Sequence, residues 1–240
     1  MQKADTLIFI PTYNEKNNVQ PLFERIIKSY KNADILFLDD NSPDGTGNKI
    51  DEMIKSSDRL YVIHRPKKLG IGSAHKEGFQ WAIERGYKNL VTMDSDFTHS
   101  PEDIPKLIAN SKDTEVVIAS RYLDKDGIKD WNILRKTLSQ TAHFLTTVLL
   151  DLKYDTTGAF RFYRLDRIDK NFLNKVRSNG YSFFFESIYV LHNMNYTIDE
   201  VPVILPTRFN GNSKMGYRDL LNSIRLLCVL TWERVFQKTV

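Results

Sequence analysis

The chain has 240 residues, of which 41% are hydrophobic and 27% charged, and its formal net charge is +4. This composition is that of a globular protein, and so small a positive charge suits an anionic substrate or membrane surface without indicating nucleic acid. The single cysteine, Cys228, excludes an internal disulfide and fits a cytosolic chain, in which we expect it to be buried in a helix. The apolar run 7–10 is too short for a signal peptide, and no run approaches the roughly 20 residues of a transmembrane helix.

Strands and helices are predicted to alternate up to residue 120. A helix is predicted over 19–30, where apolar residues recur every three or four positions. A turn at 70–72 is predicted to cap another helix, and a further helix is predicted to begin with Ser100 as its N-cap. This alternation predicts an α/β fold with a doubly wound, mostly parallel sheet and flanking helices. The predicted strands are 7–10, 35–38, 60–63, 90–93 and 116–120.

The pattern changes beyond residue 124. One or two helices are predicted over 131–152, and a strand is predicted over 158–163, with Phe160 and Phe162 on one face. Two further helices are predicted over 183–193 and 217–236. The stretch 206–216 is rich in Gly, Asn and Ser and is predicted to be a mobile loop.

Carboxylates follow two of the predicted strands. The pair 39–40 follows one strand, and Asp94-Ser95-Asp96 follows another. Ligands of open parallel sheets bind beyond the carboxyl ends of the strands, and paired buried carboxylates need a positive partner. Asp94 and Asp96 therefore predict a site for a hard divalent cation, Mg²⁺ or Mn²⁺, together with a nucleotide. The alternative for this tripeptide is a solvated turn that caps the next helix.

Cationic residues are predicted to reach the same crevice. Arg121 follows the strand 116–120 and so points toward the acidic strand ends. Arg208 and Lys214 bracket a glycine-containing loop that could fold over a diphosphate, although a solvated basic loop has the same pattern. Arg135 and Ser139 are four residues apart on one helix face and could hold a second phosphate, although such a pair alone usually has no function.

Several segments, in order, resemble the inverting GT-A glycosyltransferases of family 2, and among them the polyprenol (dolichol) phosphate mannose synthases. The resemblance covers nearly the whole chain. Its most specific parts are the 39–46 stretch, which reads DDNSPDGT, and the loop from Arg208 to Lys214. The matching segments are 9–15, 39–46, 93–99, 120–122, 155–161, 180–183 with Glu186, 200–202 and 208–214.

The resemblance implies a role for each group of residues. Asp94, the Ser95 backbone and Asp96 would hold the metal and the donor diphosphate, with Arg208 and Lys214 closing over it. The remaining residues implied to bind the nucleotide-sugar are Pro11, Tyr13, Glu15, Leu38, Asp40 and Arg121. We expect a catalytic domain over 1–216, divided into a nucleotide-binding half, 1–124, and an acceptor half, 125–216. A C-terminal amphipathic helix without a transmembrane segment is expected over 217–240.

The implied reaction transfers mannose from GDP-mannose to a polyprenyl (dolichyl) monophosphate. A phosphomonoester has a second pKa of about 6, so it is largely dianionic at pH 7 and needs positioning more than deprotonation. Arg121, Arg135 and Ser139 are the residues expected to position it. The residues expected to be catalytic are Asp96, Arg121, Arg135 and Asp155.

Two other functions fit the same residues. One is a related family 2 transferase that uses a UDP-sugar or a saccharide hydroxyl acceptor, which would need a carboxylate base such as Asp155 or Glu186. The other is a non-catalytic nucleotide-binding or scaffold protein. The joint presence of Asp94, Asp96, Arg121, Arg208 and Lys214 argues against a scaffold.

A lipid acceptor implies a peripheral enzyme at the cytoplasmic face of a membrane, where a small membrane-anchoring subunit is a possible partner. The segments 131–152 and 217–240 each combine an apolar stripe with basic flanks, the pattern of helices that lie in the membrane interface. The alternative is that both stripes pack on the sheet as core.

Overall fold

The computed structural model describes residues 4–206 and 216–237, and within them seven strands form one sheet. The strands are β1 Thr6–Thr12, β2 Ala33–Asp39, β3 Leu60–His64, β4 Asn89–Thr92, β5 Val116–Ser120, β6 Arg161–Arg164 and β7 Ile198–Pro202. The α-helices are α1 Val19–Ser29, α2 Thr46–Ile54, α3 Ile71–Glu84, α4 Ile104–Ala109, α5 Ile133–Leu150, α6 Phe183–Asn193 and α7 Tyr217–Gln237. Short 3₁₀ turns lie at Pro101–Asp103 and Phe172–Lys175.

The sheet has the strand order β3-β2-β1-β4-β6-β5-β7. Every neighbouring pair is parallel except the two pairs that β6 forms with β4 and β5. All residues of β1, β2 and β5 are buried, as expected for parallel strands covered on both faces. The predicted α/β fold with a mostly parallel sheet is confirmed. The six parallel strands all end at one edge of the sheet, called the carboxyl edge below.

Alternate side chains of the strands enter two cores, one on each face of the sheet. Leu7 and Phe9 of β1 pack in a core with α3 and α6, whereas Ile8 and Ile10 pack in a core with α1, α2 and α4. The apolar stripe predicted over 19–30 lies in the second core and is buried through Val19, Leu22 and Ile26.

The predictions for the last two strands were less accurate. The strand predicted over 158–163 is confirmed with shifted bounds, since β6 runs from Arg161 to Arg164. Just before it, the carbonyl of Ala159 accepts a hydrogen bond from the Thr92 hydroxyl (2.6 Å). Phe160 and Phe162 do share one core. Strand β7 was missed because it is a short strand at the end of the sheet and carries Asp199 and Glu200, which weaken the apolar signal.

Two helix starts were predicted. The turn at 70–72 does cap α3, and its Gly70 has a φ of +98°. A Cβ at Gly70 would lie 2.5 Å from the carbonyl oxygen of Asn179, so both the conformation and the space require glycine. The helix predicted from Ser100 begins with a 3₁₀ turn, but the serine cap is absent, because the Ser100 hydroxyl donates to the Glu102 carboxylate instead.

Helices α5 and α7 leave much of their apolar surface exposed. The prediction that Cys228 is buried is wrong, because only neighbours such as Leu227 and Leu230 of α7 turn toward the protein core. The exposed large apolar side chains of the two helices are Ile133, Leu134, Leu138, Phe144, Val148, Tyr217, Leu220, Leu221, Ile224, Val229, Trp232, Val235 and Phe236. Within residues 4–206 and 216–237, no helix has both the length and the apolar character needed to cross a bilayer.

Candidate active site

The loops that follow β1 and β2 form one wall of the candidate site at the carboxyl edge. They are joined by hydrogen bonds from the backbone N–H of Asn14 to the Ser42 hydroxyl (2.9 Å) and from that of Glu15 to the Thr46 hydroxyl (2.9 Å). Asn14 and Asn41 both have a φ of +58°, a left-handed conformation that asparagine tolerates better than most residues. This wall is therefore built from tight, mutually bonded turns.

Asp94 and Asp96, the predicted metal ligands, follow β4 on either side of Ser95. Asp96 is buried, and its Oδ1 accepts hydrogen bonds from the backbone N–H (3.1 Å) and the hydroxyl (2.6 Å) of Thr98. The side chain of Asp94 is 36% exposed and opens to solvent.

The donor chemistry of Asp94 and Asp96 fits a hard cation. In the described part of the chain, no group of three or more His, Cys, Asp or Glu side chains is placed to hold a metal ion. Two carboxylates are nevertheless the usual protein share of a Mg²⁺ or Mn²⁺ site, whose other ligands are water and phosphate oxygens. The pair therefore fits a metal that is completed by a phosphate-bearing substrate.

His99 supports this acidic loop and was not predicted. Its Nδ1 accepts a hydrogen bond from the backbone N–H of Asp94 (2.9 Å). The ring stacks on Phe160 with 5.2 Å between centroids. His99 lies in the 93–99 motif, but nothing in the sequence specified that its ring turns back toward Asp94.

Phe97 holds the acidic loop in a strained conformation. Its φ is +62°, which is uncommon for a bulky side chain. The guanidinium of Arg25 lies 5.3 Å from the Phe97 ring centroid and pairs with Glu102 at 2.6 Å. The hydrogen bond from Arg25 lowers the pKa of Glu102 to about 2. Helix α1 therefore braces the loop that carries Asp96.

Asp40, at the end of β2, lies beside a cation that was not predicted. Arg65 NH1 is 2.9 Å from Asp40 Oδ1, but neither atom has an aligned hydrogen bond. Burial raises the pKa of the Asp40 carboxyl, and the opposing effect of Arg65 is smaller. Lys68, from the same basic run, lies 4.4 Å over the ring centroid of Tyr13. This side of the crevice therefore holds two cations besides the predicted residues.

The other residues expected to bind the nucleotide differ in accessibility. Tyr13 is half-buried beside the crevice, and Glu15 is buried, with its Oε2 accepting from the Asn18 side chain (2.6 Å). Pro11 and Leu38 are buried strand residues, and Leu38 is part of the core. That Pro11 and Leu38 bind the nucleotide-sugar stays a prediction.

Arg121 and Asp155 form a buried, bidentate ion pair. Arg121 Nε and NH2 donate to the two oxygens of Asp155 at 2.7 and 2.8 Å, and NH2 also donates to the Thr157 hydroxyl (2.6 Å). Burial alone would raise the pKa of the Asp155 carboxyl, but Arg121 outweighs that effect and holds the pKa below its ordinary value. Asp155 is only 1% exposed, so its geometry is that of a residue that positions Arg121 rather than of a base open to substrate.

The three residues predicted to hold a second phosphate lie together. Arg121 NH1 is 3.4 Å from the Ser139 hydroxyl, which also bonds the Tyr122 hydroxyl at 2.7 Å. The Arg135 guanidinium lies 3.5 Å from the ring centroid of Trp131. The same ring centroid is 5.7 Å from the Arg121 guanidinium, so both arginines contact one indole. Asp94 is near enough to raise the pKa of Arg121 further, which joins this cluster to the acidic loop.

The supports behind Arg121 were also missed. Glu200 Oε1 accepts from the backbone N–H of Asp155 (2.7 Å). Arg161 is fully buried and donates to the carbonyls of Thr156 (2.7 Å) and Phe184 (2.9 Å). Both residues lie in segments that matched the family resemblance, but a long-range backbone contact leaves no local pattern in a sequence. Arg208 and Lys214 lie outside the described residues, as does most of the predicted loop 206–216.

A sheet whose carboxyl edge carries paired carboxylates and clustered arginines is typical of enzymes that bind phosphate-bearing substrates. The family model described as Glycosyl transferase family 2 matches residues 7–189, and the chain belongs to this family. The resemblance predicted from the sequence motifs is thereby confirmed.

Two relatives with named activities cover most of the chain. The polyprenol monophosphomannose synthase of Mycolicibacterium smegmatis is 38% identical over 214 residues, which are 88% of this chain and 81% of that protein. The undecaprenyl-phosphate mannosyltransferase of Micrococcus luteus is 35% identical over 211 residues, which are 88% of this chain and 87% of that protein.

The fold is also that of a glycosyltransferase of known structure. Glucosyl-3-phosphoglycerate synthase from Mycobacterium tuberculosis, in complex with Mn²⁺, uridine-diphosphate and glucosyl-3-phosphoglycerate, superposes with a TM-score of 0.66. The match covers 95% of this chain and 79% of that one at 16% identity. This similarity confirms the GT-A type of fold.

Proposed function

We propose that this enzyme transfers mannose from GDP-mannose to a polyprenyl monophosphate, with a divalent cation at Asp94 and Asp96 and with inversion at the sugar. The observation that carries the proposal is the cluster of Arg121, Arg135 and Ser139 next to the acidic loop. The two relatives described above, which are named for mannose transfer to polyprenyl phosphates, support the same acceptor class.

The state of the carboxylates favours a phosphate acceptor over a hydroxyl acceptor. A hydroxyl would need a base, and the two candidates were Asp155 and Glu186. Asp155 is bound to Arg121, and Glu186 is fully buried with its two oxygens accepting from the backbone N–H groups of Arg177 (2.9 Å) and Ser178 (2.7 Å). Neither carboxylate is open to a substrate, whereas a dianionic phosphate needs no deprotonation.

The chemistry follows from placing the two substrates in the crevice. A phosphate oxygen of the acceptor attacks C1 of the mannosyl group, and the bond from C1 to the GDP β-phosphate oxygen breaks, with its electron pair leaving on GDP. Attack on the face opposite an α-linked leaving group gives a β-linked product. Arg121, Arg135 and Ser139 hold the attacking phosphate in line. A cation bound by Asp94 and Asp96 would stabilise the charge that grows on the leaving diphosphate.

The exposed apolar surface of α5 and α7 suits an enzyme whose acceptor stays in a membrane. Its side chains include Leu138, next to Ser139, and Trp232, and Arg225 adds positive charge on α7. So many exposed large apolar side chains on two helices are unusual for a monomer and suit an interaction site. An anionic bilayer would bury the apolar side chains and attract the basic ones. We accordingly propose that the enzyme works at the cytoplasmic face of a membrane. A membrane-anchoring subunit that binds the exposed apolar side chains of α7 is the alternative.

Thermal-shift measurements separate the candidate donors. GDP-mannose, UDP-glucose and GDP are each added with and without Mn²⁺, and stabilisation should be largest for GDP-mannose with the metal. A larger shift with UDP-glucose would support a different family 2 transferase. No shift with any nucleotide would favour a non-catalytic scaffold.

Vesicle co-sedimentation tests whether the protein binds a membrane surface. Binding is expected to anionic vesicles at low salt, to weaken at moderate salt, and to weaken further when Leu134 and Leu138 are both replaced by serine. Absence of binding under all of these conditions, together with full activity on a short water-soluble saccharide, would contradict the lipid acceptor.

A further inference from the structure

The indole of Trp131 brings two arginines together in the acceptor cluster. Its ring centroid lies 3.5 Å from the guanidinium of Arg135 and 5.7 Å from that of Arg121. Two neighbouring guanidinium groups repel each other, and the negative face of an indole ring is the side-chain surface that best accommodates cations. The Arg121 charge is compensated by Asp155, so the ring contact matters most for Arg135.

The position of the Trp131 ring is itself fixed. Trp131 is 6% exposed and packs in the core that contains β5 and β7 residues such as Val117 and Val201. Its Nε1–H donates to the carbonyl of Leu205 (3.1 Å), and the Leu205 backbone N–H donates in turn to the Gly127 carbonyl (2.9 Å). The indole is therefore anchored at its edge while its face remains in contact with Arg135.

We propose that Trp131 is a positioning residue of the acceptor site, which holds Arg135 beside Arg121 so that the two guanidinium groups bind one phosphate monoester. This inference rests on the proposed function, since it assigns that site a phosphate acceptor. A guanidinium lying against an aromatic ring keeps its in-plane N–H groups directed outward for a phosphate. Trp131 thereby acts on the acceptor through Arg135 and not by direct contact.

The chain carries a matched control. Trp81 of α3 has Arg85 at 4.0 Å over its ring and packs against Tyr61 and Tyr87, whose hydroxyl bonds Asp34 near the amino end of β2. It is the same type of Trp–Arg contact at the edge of the sheet opposite the crevice. Loss of this contact should leave the acceptor site unchanged.

The first experiment is steady-state kinetics with GDP-mannose and a short polyprenyl phosphate. Trp131→Leu is expected to raise the acceptor KM at least tenfold with the GDP-mannose KM within twofold. Trp131→Phe, which keeps a ring face but loses the Nε1 bond, should give a smaller increase. Trp81→Leu should change neither KM. Equal KM values for the acceptor in wild type and Trp131→Leu would overturn the inference, whereas a wild-type enzyme inactive with any polyprenyl phosphate would overturn the proposed function instead.

A fluorescence measurement keeps the test valid if Trp131→Leu does not fold. The chain has three tryptophans, so the W81F/W232F protein reports Trp131 alone. Adding the short polyprenyl phosphate should change its emission saturably, and adding Arg135→Gln to this background should abolish the change. An emission unaffected by the acceptor, in a protein that still turns it over, would contradict a ring in contact with the binding arginine.

Discussion

The two buried aspartate–arginine pairs of the crevice, Asp40–Arg65 and Asp155–Arg121, have opposite electrostatic states. In the first, one contact of 2.9 Å lacks hydrogen-bond alignment, and burial raises the pKa of Asp40. In the second, two aligned hydrogen bonds of 2.7 and 2.8 Å outweigh burial and lower the pKa of Asp155.

The difference shows that burial alone does not decide the state of a carboxylate. A bidentate guanidinium satisfies both oxygens and repays their desolvation, which a single misaligned contact cannot do. In the Asp155–Arg121 pair the carboxylate is therefore fully satisfied, and NH1 of Arg121 remains directed at Ser139. The facing Asp40 Oδ1 and Arg65 NH1 have unused hydrogen-bonding capacity, which a ligand could satisfy.

The largest effect on stability is expected from breaking the Asp155–Arg121 pair. Asp155→Ala leaves Arg121 buried without its anion and should lower the free energy of unfolding by about 3–5 kcal/mol. Transfer activity should be lost as well. Urea denaturation measures the first effect, with exposed Asp166→Ala as the control. If Asp155→Ala lowered the free energy of unfolding no more than Asp166→Ala does, the Asp155–Arg121 pair would contribute little to the stability of the fold.

Asp96→Ala should abolish transfer and metal-dependent donor binding while the fold is retained. It removes no core side chain, but it leaves the two Thr98 donors without their acceptor, so the free energy of unfolding should fall by about 1–3 kcal/mol. Asp96→Asn is the matched variant, because its Oδ1 can still accept from Thr98 and only the charge is lost. Donor affinity that is the same with and without a chelator, or turnover retained in either variant, would argue against the metal site.

Asp40→Asn should have a smaller effect on stability than Asp155→Ala. Burial of the Asp40 carboxyl outweighs the cations beside it, and Arg65 keeps Glu77 as a second neighbour at 3.3 Å, so we expect a change in unfolding free energy within about 1 kcal/mol. Affinity for GDP-mannose should nevertheless fall, because Asp40 is an expected ligand of the nucleotide. Calorimetry measures the affinity, and a stability loss as large as that of Asp155→Ala would show that the two pairs are equivalent.

The smallest expected effect is on the pH dependence of stability in Asp40→Asn. Because the pKa of Asp40 is raised on folding, the stability it contributes is present below its ordinary value of 3.8 and is lost as pH rises through the folded pKa. Asp40→Asn should therefore gain stability relative to wild type between pH 4 and pH 7. Asp155 has the opposite sign, since its lowered pKa gives stability that is lost only as pH falls. If the free energy of unfolding of Asp40→Asn differed from that of wild type by the same amount at every pH in this range, the raised pKa of Asp40 would be contradicted.

The sequence predicted the elements whose patterns are local. The alternation of β1 to β5 with helices, the Gly70 turn and the acidic strand end at Asp94 were all readable, because each depends on neighbouring residues. Arg65 and Glu200 were not recognised as parts of the site, since their contacts join residues that are distant in the chain. The apolar stripes of α1 and α5 have similar patterns but opposite outcomes: the first is core, while much of the second is exposed. Periodicity alone cannot distinguish a helix face that packs in the core from one that stays exposed.

The antiparallel direction of β6 has a consequence for assembly. Because β6 enters the sheet at the carboxyl edge, the segment before it delivers Asp155 and Thr157 to the same place where β4 and β5 deliver Asp94 and Arg121. No ladder joins β4 to β5 directly, so the centre of the sheet is closed only when the chain beyond residue 160 has folded. The segments before and after residue 160 thus depend on each other, and a fragment cut between β5 and β6 would expose unpaired strand edges instead of forming a smaller folded unit.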